Sequence, residues 1–257
     1  ILIIAPTTTG SHRITTVLKD QSDVLDSILL IVSEKGGTAG FSVILTDTNL
    51  AATGESTTTV VVDEPIVLAL YNFNSSETIS AYISSSDKSQ NTIKSNAITD
   101  DEGAQTISYT IQDSASGEYV IWLTRSDSTT IQKKVTIVPS LKFVSVDGSS
   151  VSDSYSVKNN VRATVKLSAT GLDPYSAYNV LFNNQVVDNS IFTTNKYGGN
   201  TVIEFQVPLI KDGDYKVQLT KASESTSITT YKGDNTESSL TYTIVSDIVF
   251  KPSSTFI

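Results

Sequence analysis

His12 is the only histidine among 257 residues, and cysteine is absent. A nucleophilic triad needs an imidazole held buried and oriented beside a hydroxyl. His12 instead follows Thr7-Thr8-Thr9-Gly10-Ser11, a stretch that reads as solvated loop. One histidine without cysteine also cannot assemble the several nitrogen or sulfur ligands of a zinc centre. What remains is carboxylate chemistry. Asp63-Glu64, Asp100-Asp101-Glu102 and Asp212/Asp214 could supply an acid and a base, since glycoside hydrolysis asks for only two carboxyl groups. Each falls at a strand end or turn, where Asp side chains accept backbone N–H groups, so the chain is read as non-enzymatic. There is no phosphate-cradling loop, nucleophile elbow or dinucleotide fingerprint, and Gly198-Gly199 reads as a turn. No cofactor is expected. Ca²⁺ is the one ion these oxygens would suit, at Asp147-Gly148 with Asp153 or at the dense cluster Asp100-Asp101-Glu102. None has EF-hand spacing, so the metal question stays open at this level.

Two further groups could recognise a ligand or be modified. Tyr175, Tyr178, Tyr197 and Tyr231, with Asn183-Asn184 and Asn195 nearby in sequence, could stack on and hydrogen-bond a sugar if their rings are exposed, although most such rings belong to cores. Asn74-Ser75-Ser76 is the only acceptor sequon for N-glycosylation.

Hydrophobic residues make up 39% of the chain and charged residues only 18%, against roughly 25% in an average globular domain. Ser and Thr fill the difference, as is common among extracellular β-proteins. A net charge of −9 disfavours nucleic acid, which is held by clustered Lys and Arg, and anionic lipid surfaces. The longest apolar candidate, Ile28 to Val32, is strand-sized, far short of the ~18 residues of a membrane helix. Methionine is absent, position 1 included, as expected of a processed chain or a piece of a longer one.

The elements that must position these residues alternate with period two. β-branched and aromatic residues stand between Gly, Asn, Asp and Ser clusters, and helical periodicity is nearly missing; the only stretch with a helical look, Ile14 to Leu25, is broken at Asp20-Gln21-Ser22-Asp23. The chain also repeats itself. Gln105–Gln112 followed by Gly117-Glu-Tyr-Val-Ile-Trp-Leu-Thr124 returns, 96 residues on, as Thr201–Val207 followed by Gly213-Asp-Tyr-Lys-Val-Gln-Leu-Thr220. Each run is expected to form a strand pair, and each copy closes alike, on Lys134–Val138 and Thr241–Val245. Gly40–Leu45 and Val161–Leu167 are read as matching second strands. A repeat of about 100 residues is domain-sized, which places a boundary near Pro139-Ser140: domain 1 over 1–138, domain 2 over 139–246, and a strand-like tail over 247–257 that parallels the opening of domain 2.

The Gly-Asp/Glu-Tyr-x-Val/Ile-x-Leu-Thr unit resembles strand F of immunoglobulin-like and fibronectin-III-like surface domains, and Gly171-Leu-Asp-Pro-Tyr-Ser-Ala-Tyr-Asn-Val180 resembles their B–C turn. The resemblance implies an all-β chain of two tandem Ig-like β-sandwich domains. It also implies that Tyr119 and Tyr215 sit at the E–F corner, with rings packed and hydroxyls on backbone carbonyls. Trp122 would lie on strand F and so does not match the core tryptophan of the family. A sandwich short of one strand can accept an extended segment from a neighbour, and Ile1, Leu2, Ile3 and Ile4 form such a segment. Burying four aliphatic side chains would contribute roughly 6–12 kcal/mol before ordering costs. The expectation is an extracellular, self-assembling subunit of a surface filament or layer, similar to donor-strand-complemented pilins and archaeal threads, with its own copies or neighbouring Ig-like domains as partners. The alternative is an adhesin or a glycan- or ligand-binding module of a larger cell-surface protein.

Overall fold

The computed structural model describes residues 10–17, 24–32, 37–45, 58–85, 90–112, 114–232 and 237–245; at 10–17, 24–32, 90–92 and 201 it describes the backbone alone. Every regular element among them is a strand. The chain divides into two compact units, the first comprising Ile1–Ser140 and Tyr231–Thr236, the second Leu141–Thr230 and Glu237–Ile257.

The first stretch carries β1 (Gly10–Val17), β2 (Val24–Val32), β3 (Gly40–Leu45), β4 (Thr59–Val61), β5 (Pro65–Tyr71), β6 (Thr78–Ser85), β7 (Gln90–Ile98), β8 (Gln105–Thr110), β9 (Gly117–Thr124) and β10 (Thr130–Val138). β1 and β2 make an antiparallel sheet of their own, so strands occupy both arms of the one stretch with a helical look. The other eight build a sandwich with one sheet in the order β3-β5-β8 and the other β4-β10-β9-β6-β7. Alternate residues from both sheets meet in the core, among them Val43, Ile66, Leu68, Leu70, Ile79, Ile121, Leu123 and Ile137. Aliphatic side chains dominate it, as β-branched and leucine residues at period two require of a sheet wet on one face.

The second unit repeats this plan with β11 (Ser140–Val146), β12 (Ser149–Ser150), β13 (Ser156–Asn159), β14 (Thr164–Thr170), β15 (Ala177–Phe182), β16 (Gln185–Val186), β17 (Phe192–Thr193), β18 (Asn200–Gln206), β19 (Gly213–Lys221), β20 (Thr230–Tyr231), β21 (Glu237–Ser238) and β22 (Leu240–Ile244). One sheet runs β12-β11-β14-β18 and its partner β13-β22-β19-β15-β16, with β17 also on β15; β20 and β21 pair apart. The core is aromatic where that of the first unit is aliphatic. Phe182 lies 5.8 Å from Tyr242 and 6.3 Å from Phe205, and Phe143 lies 6.4 Å from Tyr242, centroid to centroid.

In both sandwiches a short strand runs parallel to the last one, β4 on β10 and β13 on β22. The antiparallel order around it is strand C to F to G, β6-β9-β10 and β15-β19-β22. This is the Ig-like arrangement, built twice.

Three expectations are corrected. His12 stands in β1 and not in a loop. Gln105–Gln112 and Gly117–Thr124 are not a hydrogen-bonded pair, nor are Thr201–Val207 and Gly213–Thr220. In each case the first strand belongs to one sheet and the second to the other, because the intervening residues carry the chain across the core. The tyrosine at each crossing fastens it, as the resemblance implies: Tyr119 donates its hydroxyl to the Ala115 carbonyl (3.1 Å) and Tyr215 to that of Lys211 (2.7 Å), with both rings half-buried. Nor do Gly40–Leu45 and Val161–Leu167 match. β3 is the first strand of its sandwich and corresponds to β11, whereas β14 corresponds to β5 and begins only at Thr164, after a turn with Arg162 at φ 62°.

Candidate functional site

The B–C turn and the loop before strand E are locked together in each unit by the same set of bonds. In the first unit Thr99 Oγ1 donates to the Asn74 carbonyl (2.6 Å) and accepts from the Glu77 N–H (2.8 Å). In the second, Thr194 Oγ1 donates to the Asp173 carbonyl (2.6 Å) and accepts from the Ser176 N–H (3.0 Å). The residue after each threonine closes the loop on itself. Asp100 Oδ1 accepts the N–H groups of Glu102 and Ala104, and Asn195 Oδ1 accepts those of Tyr197 and Gly199. Gly103 and Gly198, both at φ 73°, then offer their carbonyls to the N–H of Phe73 (3.1 Å) and of Leu172 (2.8 Å). A Cβ at Gly103 would stand 1.9 Å from the Phe73 oxygen, and one at Gly198 1.7 Å from that of Leu172. Only glycine fits either place.

On this shared frame the two units differ in what they present to solvent. The residue before the end of each B–C turn stands at positive φ, Ser76 at 56° and Tyr175 at 51°. The residue before the loop glycine is Glu102 in one and Tyr197 in the other. The first unit thus shows a hydroxymethyl and a carboxylate where the second shows two phenol rings. Tyr175 is 73% exposed and Tyr197 38%. The two loops touch there, with the Tyr175 N–H donating to the Asn195 carbonyl (3.3 Å), and Lys196 Nζ stands 4.6 Å above the Tyr197 ring. Holding a bulky side chain at positive φ costs on the order of 1 kcal/mol or more, and an exposed ring recovers none of that by packing. Together with the Asp173–Lys221 ion pair (2.7 Å), this loop end offers aromatic faces beside charged donors and acceptors.

A cation at the end of strand F ties the same turn down in both units. In the first, Arg125 grips Glu77 with two bonds, Nε to Oε1 (2.7 Å) and NH2 to Oε2 (2.8 Å), while Oε2 also accepts the Asn74 N–H (3.0 Å). The Glu77 side chain is 3% exposed, and Arg125 lies 5.5 Å over the Phe73 ring. The arginine hydrogen bond holds the Glu77 carboxyl below its ordinary range despite the opposing cost of burial. In the second unit Lys221 meets Asp173 through one contact in the open, and that hydrogen bond raises the lysine.

The residues singled out from sequence are spread across these features. Asp100, one of the calcium candidates, is spent on its own loop; Asp147 Oδ1 accepts the Thr164 N–H (2.8 Å) and Asp153 Oδ1 that of Tyr155 (2.7 Å). Among the described residues no three His, Asp or Glu side chains come together in a way that could hold a metal ion. Of the four tyrosines considered for sugar binding, Tyr178 is buried and stacked on Phe192 (5.8 Å), Tyr231 is half-buried, and Tyr175 and Tyr197 are exposed. Asn74 is exposed in its turn. Ile1, Leu2, Ile3 and Ile4, and the tail 247–257, lie outside the described residues. The second unit also has a cleft of about 690 Å³ beside β18, between Arg162 and Glu204 on one side and Gln185 and Val186 on the other, with Leu209 and Ile210 on its lip. The matched loops are written in the sequence as Thr-Asp/Asn-x-x-Gly at 99–103 and 194–198, a likeness masked by the acidic charge of the first copy.

No family model matches the chain, and no curated protein sequence does. Among solved structures it is similar to SGBP-B of the Bacteroides ovatus mixed-linkage glucan utilization locus, solved with a mixed-linkage heptasaccharide (16% identity over 86% of this chain and 49% of that one, TM-score 0.36). It is also similar to a C-terminal fragment of intimin solved with the intimin-binding domain of its translocated receptor (14%, 73% and 61%, 0.32). A third is invasin, a bacterial integrin-binding protein (14%, 82% and 40%, 0.34). The chain spans about half the length of these structures. The Ig-like assignment rests on the strand order above, not on these scores.

Proposed function

We propose that this chain is a non-catalytic segment of a cell-surface protein in which the first unit is a spacer and the loop end of the second binds a glycan through Tyr175 and Tyr197. One observation carries the reading. The two loop frames are bonded alike, so the frame does not require tyrosine at either place, yet the second unit carries exposed rings at both. Flat phenol faces stack on the apolar faces of sugar rings, while Asp173, Lys196 and Lys221 supply hydrogen-bonding groups around them. The hydroxyl-rich, cysteine-free composition supports an extracellular location, and Asn74, exposed in the turn of the first unit, is a candidate acceptor for a glycan of its own.

A glycan array probed with the whole chain tests this. Retained glycans are expected to lose roughly tenfold in affinity for each of Tyr175→Ala and Tyr197→Ala, about 1–2 kcal/mol per ring, with the unfolding midpoint unchanged. An array that retains nothing, or a double variant that binds like the parent, overturns the proposal.

Assembly into a filament or layer through donation of Ile1–Ile4 is a second reading. It is favoured by the edge of β18, unpaired among the described residues, which ends its sheet beside the cleft. Deleting residues 1–6 would abolish polymers seen by negative stain and leave the monomer folded. A parent chain that runs as a clean monomer at all concentrations sinks it.

A further inference from the structure

β1 and β2 are an anomaly within this architecture. Every other long strand belongs to one of the two sandwiches, whereas these two pair only with each other among the described residues. Two isolated strands have marginal stability in water, and a run such as Val24-Leu-Asp-Ser-Ile-Leu-Leu-Ile-Val32, apolar at nearly every position, suits a strand covered on both faces.

Their register identifies what they are. In the F–G hairpin of the first unit the leading glycine pairs with the second-last residue of the G strand, Gly117 opposite Ile137, and Tyr119 stands opposite Val135. In the second unit Gly213 lies opposite Ile244 and Tyr215 opposite Tyr242. In the isolated hairpin Gly10 lies opposite Val32 and His12 opposite Leu30. Gly-Ser-His-Arg-Ile-Thr-Thr-Val therefore falls on Gly-Glu-Tyr-Val-Ile-Trp-Leu-Thr and Gly-Asp-Tyr-Lys-Val-Gln-Leu-Thr, with an imidazole in place of the corner phenol. The order along the chain agrees: β1 and β2 precede β3 as β9 and β10 precede β11, so that F, G and then strand A of the next sandwich recur. In sequence, Ile4 stands six residues before Gly10, as the buried Ile111 and Val207 stand six residues before Gly117 and Gly213.

We infer that β1 and β2 are the closing F–G hairpin of a further Ig-like repeat, and that their outer edges, open among the described residues, are built to be completed by the earlier strands of that repeat, carried ahead of Gly10 in the same polypeptide. The two complete copies define the occupant. The outer edge of β1 takes an antiparallel C strand, as β9 takes β6 and β19 takes β15. The outer edge of β2 takes a short parallel strand, as β10 takes β4 and β22 takes β13. The brace loop is placed as well: Gly103 and Gly198 precede their F-strand glycines by 14 and 15 residues, so a Thr-Asp/Asn-x-x-Gly run should end 14 or 15 residues before Gly10.

Two measurements decide it. Amide hydrogen exchange on the 257-residue chain is expected to leave β1 and β2 at least ~100-fold less protected than β9 and β10. Removing residues 1–32 is expected to leave both unfolding midpoints in place. A fall in the first unit's midpoint of more than about 4 °C on that deletion, about 1 kcal/mol, assigns the hairpin to the first unit and overturns the inference. The coding sequence ahead of Ile1 should show alternating strands and the brace loop at the stated distance, and adding that stretch should bring hairpin protection up to that of β9 and β10. An upstream sequence without them, or hairpin protection that instead grows with protein concentration, points to a second copy as the source and also overturns it. Glycan binding at Tyr175 and Tyr197 is read in a separate assay and is unaffected by either outcome.

Discussion

The two sandwiches share a strand order, a tyrosine-fastened crossing and a braced B–C turn, but they anchor that turn in opposite ways. The first unit sinks Glu77 beneath Arg125 and satisfies its carboxylate from three donors; the second leaves Asp173 and Lys221 as one solvated contact. Burial makes a single partner indispensable, because the survivor of a broken pair is left charged without water, whereas exposed pairs contribute little. The first unit has therefore tied its loop end down with a buried pair and presents only short polar side chains and a carboxylate there. The second keeps its loop end open and puts two rings on it.

The largest effect expected from breaking this contrast is Arg125→Ala, which strands the buried Glu77 carboxylate, at about 3–5 kcal/mol. In calorimetry it should bring down the first transition and spare the second. Equal loss from Asp173→Ala would show that the anchors do not differ. Gly198→Ala should come next, at roughly 3 kcal/mol from backbone strain and the clash with the Leu172 carbonyl. Gly103→Ala should do the same in its own unit, since the brace is common to both.

Alkali and acid should part the units. Tyr242 is fully buried, donates to the Asn160 carbonyl (2.9 Å), and has its hydroxyl pushed up to about 12 by burial. Unfolded, it ionises near 10, so the unfolded chain loses its proton first. The Tyr242 hydroxyl should cost the second unit about 3 kcal/mol as pH rises from 10 to 12, and Tyr242→Phe should remove that share, leaving the smaller alkali sensitivity of Tyr178, whose hydroxyl burial also raises. Glu77 has the reverse sign. Its carboxyl is held down in the fold, so the unfolded chain takes up a proton first, and the first unit should weaken as pH falls below the ordinary carboxylate value of 4.5. Equal acid sensitivity in the Glu77→Gln variant would count against this origin. The smallest effect belongs to Lys221→Ala, expected within about 1 kcal/mol.

The all-β, Ig-like class was legible because period-two burial leaves its mark on many core strands, as in Thr164-Val-Lys-Leu-Ser-Ala-Thr170 and Tyr215-Lys-Val-Gln-Leu219. Pairing was not legible. Alternation says which face a residue takes, not which strand lies beside it, so the runs either side of Ser116 and of Asp212 read as hairpins when they cross between sheets. β7 went unseen because an edge strand with only Ile93, Ala97 and Ile98 as apolar residues need not alternate strictly. Among the tyrosines, Tyr175 in the turn and Tyr178 in β15 stand three residues apart, and no local rule says that one is open and the other buried. That follows from the hydroxyl of Tyr178 accepting the Asp173 N–H (3.1 Å) while its ring stacks on Phe192.

The parallel pairing of β4 with β10 and of β13 with β22 bears on tension. When a unit is pulled by its two ends, the strand near its start and the one at its finish are drawn in opposite directions along their common length. The bonds between them, at Thr59–Val61 against Thr136–Val138 and at Ser156–Asn159 against Thr241–Ile244, are then loaded in shear and must give way together, not one after another. A chain of such units resists stretching up to a threshold and then yields a whole module at a time, which is how a tether absorbs a sudden load without parting.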